Sequence, residues 1–143
     1  MGALYVGGAM DDTHVLANHI TSNLGEYDDI YVTQDSHQAV HIAHPMFWKG
    51  KDGRQPAPFT LITVQDLKDG TWSPVIPSLM KKAFAYVEAL AANGRYVLCI
   101  WPPHCRVGSL GCAFMPEIDH ALNRWETEQI ARVNIVPKGN NPF

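Results

Sequence analysis

The sequence predicts an α/β fold of three layers, in which helices cover both faces of a mostly parallel sheet. Two observations lead to this prediction. Helical and strand-like segments alternate along the chain, and right-handed crossovers then place successive strands in one sheet. One strand-like segment, 95–101, is almost continuously apolar, as expected for a parallel strand that is covered on both faces. The length of 143 residues fits one domain over residues 1–143.

The first half of the chain contains a helix, a strand and a long loop. Apolar residues repeat at helical spacing over 11–24 and Gly25 follows them, which predicts an amphipathic helix. Residues 29–34 are rich in β-branched and aromatic side chains, which predicts a strand. Residues 35–58 contain many His, Pro, Gly and aromatic residues and are predicted to form a loop. The next segment, 59–64, fits a short strand or an extended segment.

The second half contains two further helices and two further strands. Apolar residues at helical spacing predict a helix over 76–91, and Gly94 marks its end. The strand 95–101 follows. Pro116 is typical of the first turn of a helix, and the apolar face of that helix continues to Trp125. The last predicted strand is 133–136.

Composition excludes several classes of function. The net charge of −3 is not that of a nucleic-acid-binding protein or of a polybasic membrane-binding surface. No apolar run approaches the 18 or so residues that span a bilayer, and no signal peptide is visible. The three cysteines lack the spacing of a metal finger. We therefore expect a reducing, cytoplasmic setting, with neither nucleic acid nor membrane as a partner.

Reactive side chains follow three of the predicted strands. Asp35 follows the first, His104 the second and Lys138 the third. In an open α/β sheet, ligands bind beyond the carboxyl ends of the strands. We therefore expect these three side chains to lie along one edge of the sheet.

The run Asp35-x-His37-x3-His41 contains the donor types of a metal site. Two imidazoles and one carboxylate suit Zn²⁺, Fe²⁺ or Mn²⁺ and leave coordination positions open. His104 could complete the set from the second strand. His44 is an alternative ligand, but its His-Pro sequence fits a loop turn equally well. The whole run from Asp35 to His41 could also be a polar loop that happens to contain histidines.

The segment from Trp101 to His104 is stiffened by two prolines, which makes it a good support for a ligand histidine. Trp101 offers a flat apolar wall to an aromatic substrate, or else belongs to the core. Cys105 beside His104 permits a Cys–His nucleophile, although neighbours in an extended chain usually point apart. Lys138 at a strand end fits an anion-binding or catalytic lysine, or else a solvated one.

Together these motifs resemble the nicotinamidase branch of the isochorismatase-like cysteine hydrolases. The resemblance rests on the Asp-x-His-x3-His run within 33–41, on Trp-Pro-Pro-His-Cys at 101–105 and on Lys-Gly at 138–139. Segments that resemble a longer-loop subgroup of the family are 43–48, 58–60 and 70–72. Order and spacing agree over nearly the whole chain.

The resemblance implies an isochorismatase-like, Rossmann-like α/β/α fold and the hydrolysis of nicotinamide to nicotinate and ammonia. It also implies one divalent metal ion, zinc before iron or manganese, which binds the pyridine nitrogen of the substrate. The residues it assigns are Asp35, His37, His41 and His104 as metal ligands, Trp101 in the substrate pocket and Lys138 as a catalytic residue.

Two further catalytic residues of that family have no match in these 143 residues: an aspartate on the family's first strand and a cysteine at a strand–helix elbow. Neither Cys105 nor Cys112 fits the elbow. The chain therefore resembles the middle of such an enzyme, incomplete at both ends and truncated. We expect it to be inactive alone, or to depend on self-association or a companion chain that completes the sheet. The alternatives are a non-enzymatic module that binds a metal and nicotinamide-like ligands, and a self-sufficient metallohydrolase.

Overall fold

A computed structural model describes residues 2–143, without the side chain of Asn93, and the chain divides into two compact units. Unit 1 is formed by the residues up to Ser36 and by Cys105–Asn140, and unit 2 by His37–His104 and Asn141–Phe143. In chain order the elements are α1 (Ala9–Ser22), β1 (Tyr31–Asp35), β2 (Trp48–Gly50), β3 (Leu61–Ile62), α2 (Val64–Lys68), β4 (Trp72–Pro74), α3 (Met80–Ala91), β5 (Leu98–Cys99), α4 (Pro116–Gln129) and β6 (Asn134–Lys138).

Unit 1 consists of the helices α1 and α4 and of one parallel strand pair. β1 pairs with β6 in a register that runs from Tyr31 opposite Asn134 to Asp35 opposite Lys138. Apolar side chains of the two helices form the core, and Val32 of β1 packs against them. The buried members of this core are Ala17, Ile20, Leu24, Ala121, Leu122 and Trp125. Because the strands are parallel and in register, Asp35 and Lys138 lie at the same end.

Unit 2 is built from short antiparallel strand pairs and the helices α2 and α3. β2 pairs with β4, and β3 pairs with β5. The core contains Trp48 and Ile42, both fully buried, together with Ile62, Val87 and Ile100. The α2 helix begins with a capping box, in which the side chains at Thr63 and Asp66 bind each other's backbone N–H groups.

The α/β class is confirmed, and the predicted helices are all present. The strand 95–101 differs from its prediction: only Leu98 and Cys99 join a ladder, the pairing with β3 is antiparallel, and Tyr96 and Val97 are about half exposed. Among residues 2–143 the parallel pairing is confined to β1 and β6. A run of apolar residues indicates a strand, but it does not specify which strand will supply the hydrogen bonds. The extent of the domain, residues 1–143, stays a prediction.

The helix at the start of the second half begins later than predicted. Residues 77–79 form a turn of 3₁₀ helix before α3, and Pro77 occupies its first turn. Within residues 2–143, no helix has the length and apolar character needed to cross a bilayer.

The C-terminal end of α4 is strained at Ile130, whose φ is 50°. A β-branched residue is poorly accommodated in the left-handed region, and Ile130 is 89% exposed, so it contributes little burial in return. We expect Ile130→Gly to raise the free energy of unfolding by about 1 kcal/mol, measured by urea denaturation. Gln129→Gly, one residue earlier within the helix, should instead lower it by about 1 kcal/mol; equal effects of both changes would contradict the assignment of strain to Ile130.

Candidate functional site

Asp35 and Lys138 form an ion pair at the end of the parallel strand pair in unit 1. Lys138 Nζ lies 3.2 Å from Asp35 Oδ1, and Ser36 N donates to the backbone oxygen of Lys138 at 2.9 Å. Both side chains are about half exposed, so the ion pair adds at most about 1 kcal/mol to stability. Its importance is positional, because it fixes the carboxylate and the ammonium side by side at the strand ends.

Two thiols lie near this ion pair. The Cys112 thiol is 3.3 Å from the backbone oxygen of Asp35 and donates to it, and the Ser36 hydroxyl is 3.6 Å from the same sulfur. Burial raises the pKa of the Cys105 thiol, with Asp35 and Cys112 adding to the effect and Lys138 opposing it. The thiolate is the nucleophilic form, so this environment does not activate Cys105. A Cys–His nucleophile at this position is disfavoured.

Four histidines of unit 2 form a cluster, which we call the histidine cluster: His37, His41, His44 and His104. Five of the six ring pairs have centroids between 4.6 and 6.1 Å apart. His44 is the most buried, with 2% of its surface exposed, and the other three are partly buried. Three of the four, His37, His41 and His104, were grouped in the sequence analysis. They come from two segments that are far apart in the chain.

The two segments of the cluster are joined by a backbone hydrogen bond and rest on the core beneath them. Trp101 N donates to Ala43 O at 2.7 Å, which joins the chain before His104 to the chain that carries His41 and His44. Next to it, the buried indole N–H of Trp48 donates to the carbonyl of Ile42. These bonds satisfy buried backbone groups and fix the loop on the core.

Hydrogen bonds to the backbone determine which ring nitrogen of each imidazole carries the proton. His104 Nδ1 lies 2.8 Å from Pro102 O and His44 Nδ1 lies 3.2 Å from Ala39 O. A carbonyl can only accept, so both rings carry Nδ1–H and their Nε2 atoms hold a lone pair when neutral. His41 is the reverse, because its Nδ1 accepts from Ala43 N at 3.0 Å.

Burial favours the neutral form of two imidazoles of the cluster, His41 and His44. Desolvation, reinforced by the neighbouring imidazoles of His44, His37 and His104, lowers the pKa of His41 to about 4. Desolvation also lowers the pKa of His44, although the hydrogen bond to Ala39 opposes it. Neutral imidazole is the form that binds metal ions.

The chemistry of this donor set fits a divalent ion such as zinc, for which imidazole is a common ligand. Across residues 2–143, however, no three His, Cys, Asp or Glu side chains are arranged so that they could hold a metal ion. The set of Asp35, His37, His41 and His104 therefore stays a prediction. Of its members, the three histidines belong to the cluster in unit 2 and the aspartate to unit 1, where it pairs with Lys138.

Trp101 is 39% exposed and its ring meets that of Phe59 edge to face, with centroids 5.8 Å apart. Phe59 itself is 59% exposed and has a φ of 69°. The two rings form an exposed aromatic pair, and the role of Trp101 in a substrate pocket stays a prediction. Phe59 had no predicted role, and its only signal in the sequence is its place in the matching segment 58–60.

No protein-family model and no curated protein matches the chain. Solved structures do match. A yeast nicotinamidase has a TM-score of 0.60 at 18% identity, and the same enzyme bound to the inhibitor nicotinaldehyde has a TM-score of 0.58 at 19%; each alignment covers 99% of this chain and 51% of the other. An Acinetobacter baumannii nicotinamidase and pyrazinamidase has a TM-score of 0.50 at 18% identity, over 98% of this chain and 45% of the other.

At this level of identity the likeness shows the fold, and the chain has the fold of the nicotinamidases. It spans about half the length of these nicotinamidases.

Trp48, which is buried beneath the histidine cluster, provides a test of how the core supports the cluster. We expect Trp48→Phe to lower the free energy of unfolding by about 2 kcal/mol, because it leaves a cavity and removes the donor to Ile42 O. Trp101→Phe, at a partly exposed ring, should change it by less than about 0.5 kcal/mol. Urea denaturation of both variants gives the comparison, and a smaller loss at Trp48 than at Trp101 would contradict it.

Proposed function

We propose that this chain supplies the metal- and substrate-binding part of a nicotinamidase-type amide hydrolase, which converts nicotinamide and water into nicotinate and ammonia. The observation that carries the proposal is the histidine cluster, in which His37, His41 and His104 lie together although His104 is distant in sequence. The likeness in fold to nicotinamidases supports the same substrate class, and one of those enzymes binds nicotinaldehyde.

In this proposal one divalent ion, zinc before iron or manganese, is held by Asp35 and by imidazoles of the histidine cluster, for which the family resemblance names His37, His41 and His104. The ion would hold the pyridine nitrogen of the substrate and so orient the amide. Trp101 and Phe59 then contact the faces and edges of the heteroaromatic ring, because their own rings are partly exposed and lie edge to face.

Lys138 acts on the amide group of the substrate in this proposal. Its ammonium group lies 3.2 Å from the Asp35 carboxylate and is about half exposed, so it can donate further hydrogen bonds. An ammonium group in this position favours negative charge that develops on the amide oxygen during attack.

The chain on its own has no evident nucleophile–base unit. The catalytic aspartate and cysteine of the resembled family have no match in these residues, and the environment of Cys105 raises the pKa of its thiol. Members of such a unit are strongly non-additive, so the lysine alone should give almost no covalent turnover. We propose that turnover requires a second copy or a companion chain that supplies the missing groups.

Binding and turnover separate this proposal from its alternatives. Calorimetry should show that nicotinamide binds to the zinc-loaded chain and that EDTA abolishes the binding, and His104→Gln should weaken it at least tenfold. Ammonia release by the isolated chain should stay at background. Absence of nicotinamide binding would contradict the proposal.

Full turnover by the chain alone contradicts the dependence on a partner. Turnover that survives Cys105→Ala and is lost in His104→Ala would identify a self-sufficient metallohydrolase instead. Metal-dependent binding with no ammonia release, even when candidate companion chains are added, favours a non-enzymatic binding module.

The aromatic pair predicts a separate effect on affinity. We expect Trp101→Ala to weaken nicotinamide binding about tenfold, because a ring–ring contact contributes about 1 kcal/mol beyond area burial. Tyr96→Ala removes an aromatic ring that is 60% exposed elsewhere in unit 2 and should leave the affinity unchanged. Equal losses in the two variants would show that Trp101 has no specific contact with the ligand.

A further inference from the structure

We propose that residues Asn141–Phe143 form a latch, which fastens the loop that carries His41 and His44 to the core of unit 2. Phe143 is the anchor of this latch. The three residues belong to unit 2, although the strand before them, β6, belongs to unit 1. The proposal concerns the conformation of the loop, so it goes beyond the proposed function and requires neither a metal ion nor a substrate.

The ring of Phe143 has two specific contacts in unit 2. It packs nearly at right angles to the ring of Phe47, with centroids 5.7 Å apart. Lys82 Nζ, from α3, lies 3.6 Å from the centroid of the Phe143 ring, which is the geometry of a cation–π contact. Phe143 is partly buried and packs against the core that contains Phe47. Both contacts depend on the orientation of the ring, so together they hold Phe143 in one position.

The backbone next to this anchor binds the histidine loop. Ile42 N donates to Pro142 O at 2.8 Å. Ile42 is fully buried, and its own carbonyl accepts from the indole N–H of Trp48. A buried backbone N–H without a partner costs free energy, so Ile42 cannot keep its present position if Pro142 moves away.

Ile42 lies between His41 and Ala43, two residues before His44. His41 Nδ1 accepts from Ala43 N, and Ala43 O accepts from Trp101 N. A movement of the Ile42 backbone therefore disturbs the turn that fixes His41 and the chain that leads into His44. The positions of these two imidazoles thus depend on a hydrogen bond that the latch supplies.

The latch is stiff between its two points of contact. Phe143 N donates to Asn141 Oδ1 at 3.1 Å, which closes a turn of the kind that Asn side chains form with the backbone two residues on. Pro142, between them, has a fixed φ. The carbonyl that binds Ile42 and the ring that contacts Phe47 therefore move together. Loss of the ring contacts should release the hydrogen bond as well.

Native-state hydrogen exchange, followed by NMR on the full chain, tests the latch at the amide of Ile42. Phe143→Ala should speed exchange at Ile42 N at least tenfold. The amide of Val87, which is buried in α3 of the same unit, should change less than threefold. Tyr96→Ala removes an aromatic ring that is 60% exposed in unit 2 and should leave both rates unchanged.

Local release of the loop and a general loss of stability give different results. Equal acceleration at Ile42 and Val87 would show that Phe143 is an ordinary core contact, which overturns the proposal, and so does an unchanged rate at Ile42. The imidazole nitrogen signals of His41 and His44 should shift in Phe143→Ala but not in Tyr96→Ala; unchanged signals overturn the dependence of these imidazoles on the latch. No ligand is added, so the outcome is independent of the calorimetry with nicotinamide.

Lys82→Gln gives a milder test, which decides the matter if Phe143→Ala does not fold. Lys82 is exposed, so this change removes the ammonium group above the ring without opening a cavity. Loss of an exposed cation–π contact should speed exchange at Ile42 N about threefold. Lys81→Gln, the matched change one residue earlier, should leave that rate unchanged. Equal rates in the two variants overturn the role of the Phe143 ring as the anchor.

Discussion

The hydrogen bond from Trp101 N to Ala43 O is the interaction on which the histidine cluster depends. It joins two segments that are far apart in the chain, one ending at His104 and the other carrying His41 and His44. Ile100 and Ile42, on either side of this bond, are fully buried, so apolar burial drives the two segments together while the hydrogen bond sets their register. The polar cluster is thus placed by the core beneath it rather than by attraction among its own imidazoles, which repel one another when protonated.

The sequence predicts the position of Asp35 and Lys138 well, and for a simple reason. Both follow strands, and residues after parallel neighbouring strands meet at one edge. The register of β1 and β6 places them opposite each other. His104 also joins the two histidines with which it was grouped, but the physical route is different. It follows β5, which pairs antiparallel with β3 in unit 2, so the expectation that a parallel sheet places His104 on one edge with Asp35 and Lys138 is wrong. The role of His104 as a metal ligand stays a prediction.

The tautomers of the individual imidazoles could not be predicted from the sequence. His44 precedes Pro45, and a His-Pro sequence is equally compatible with a loop turn and with a metal-binding histidine. The tautomer of each ring is set by a backbone partner: Ala39 O for His44 and Ala43 N for His41. These contacts depend on the path of a loop that contains no periodic pattern. The contact between Phe59 and Trp101 could not be predicted either, because it joins two irregular segments.

The parallel strand pair of unit 1 exposes apolar side chains. Val32 points to the helices of unit 1, so the register places Tyr31 and Val136 together on the opposite face, where they are 69% and 45% exposed. Parallel sheets are normally covered on both faces, and two strands alone form a marginal sheet. Asp35 and Lys138 lie at the end of the same two strands. The ion pair therefore lies at the end of a strand pair whose face bearing Tyr31 and Val136 is exposed among the described residues.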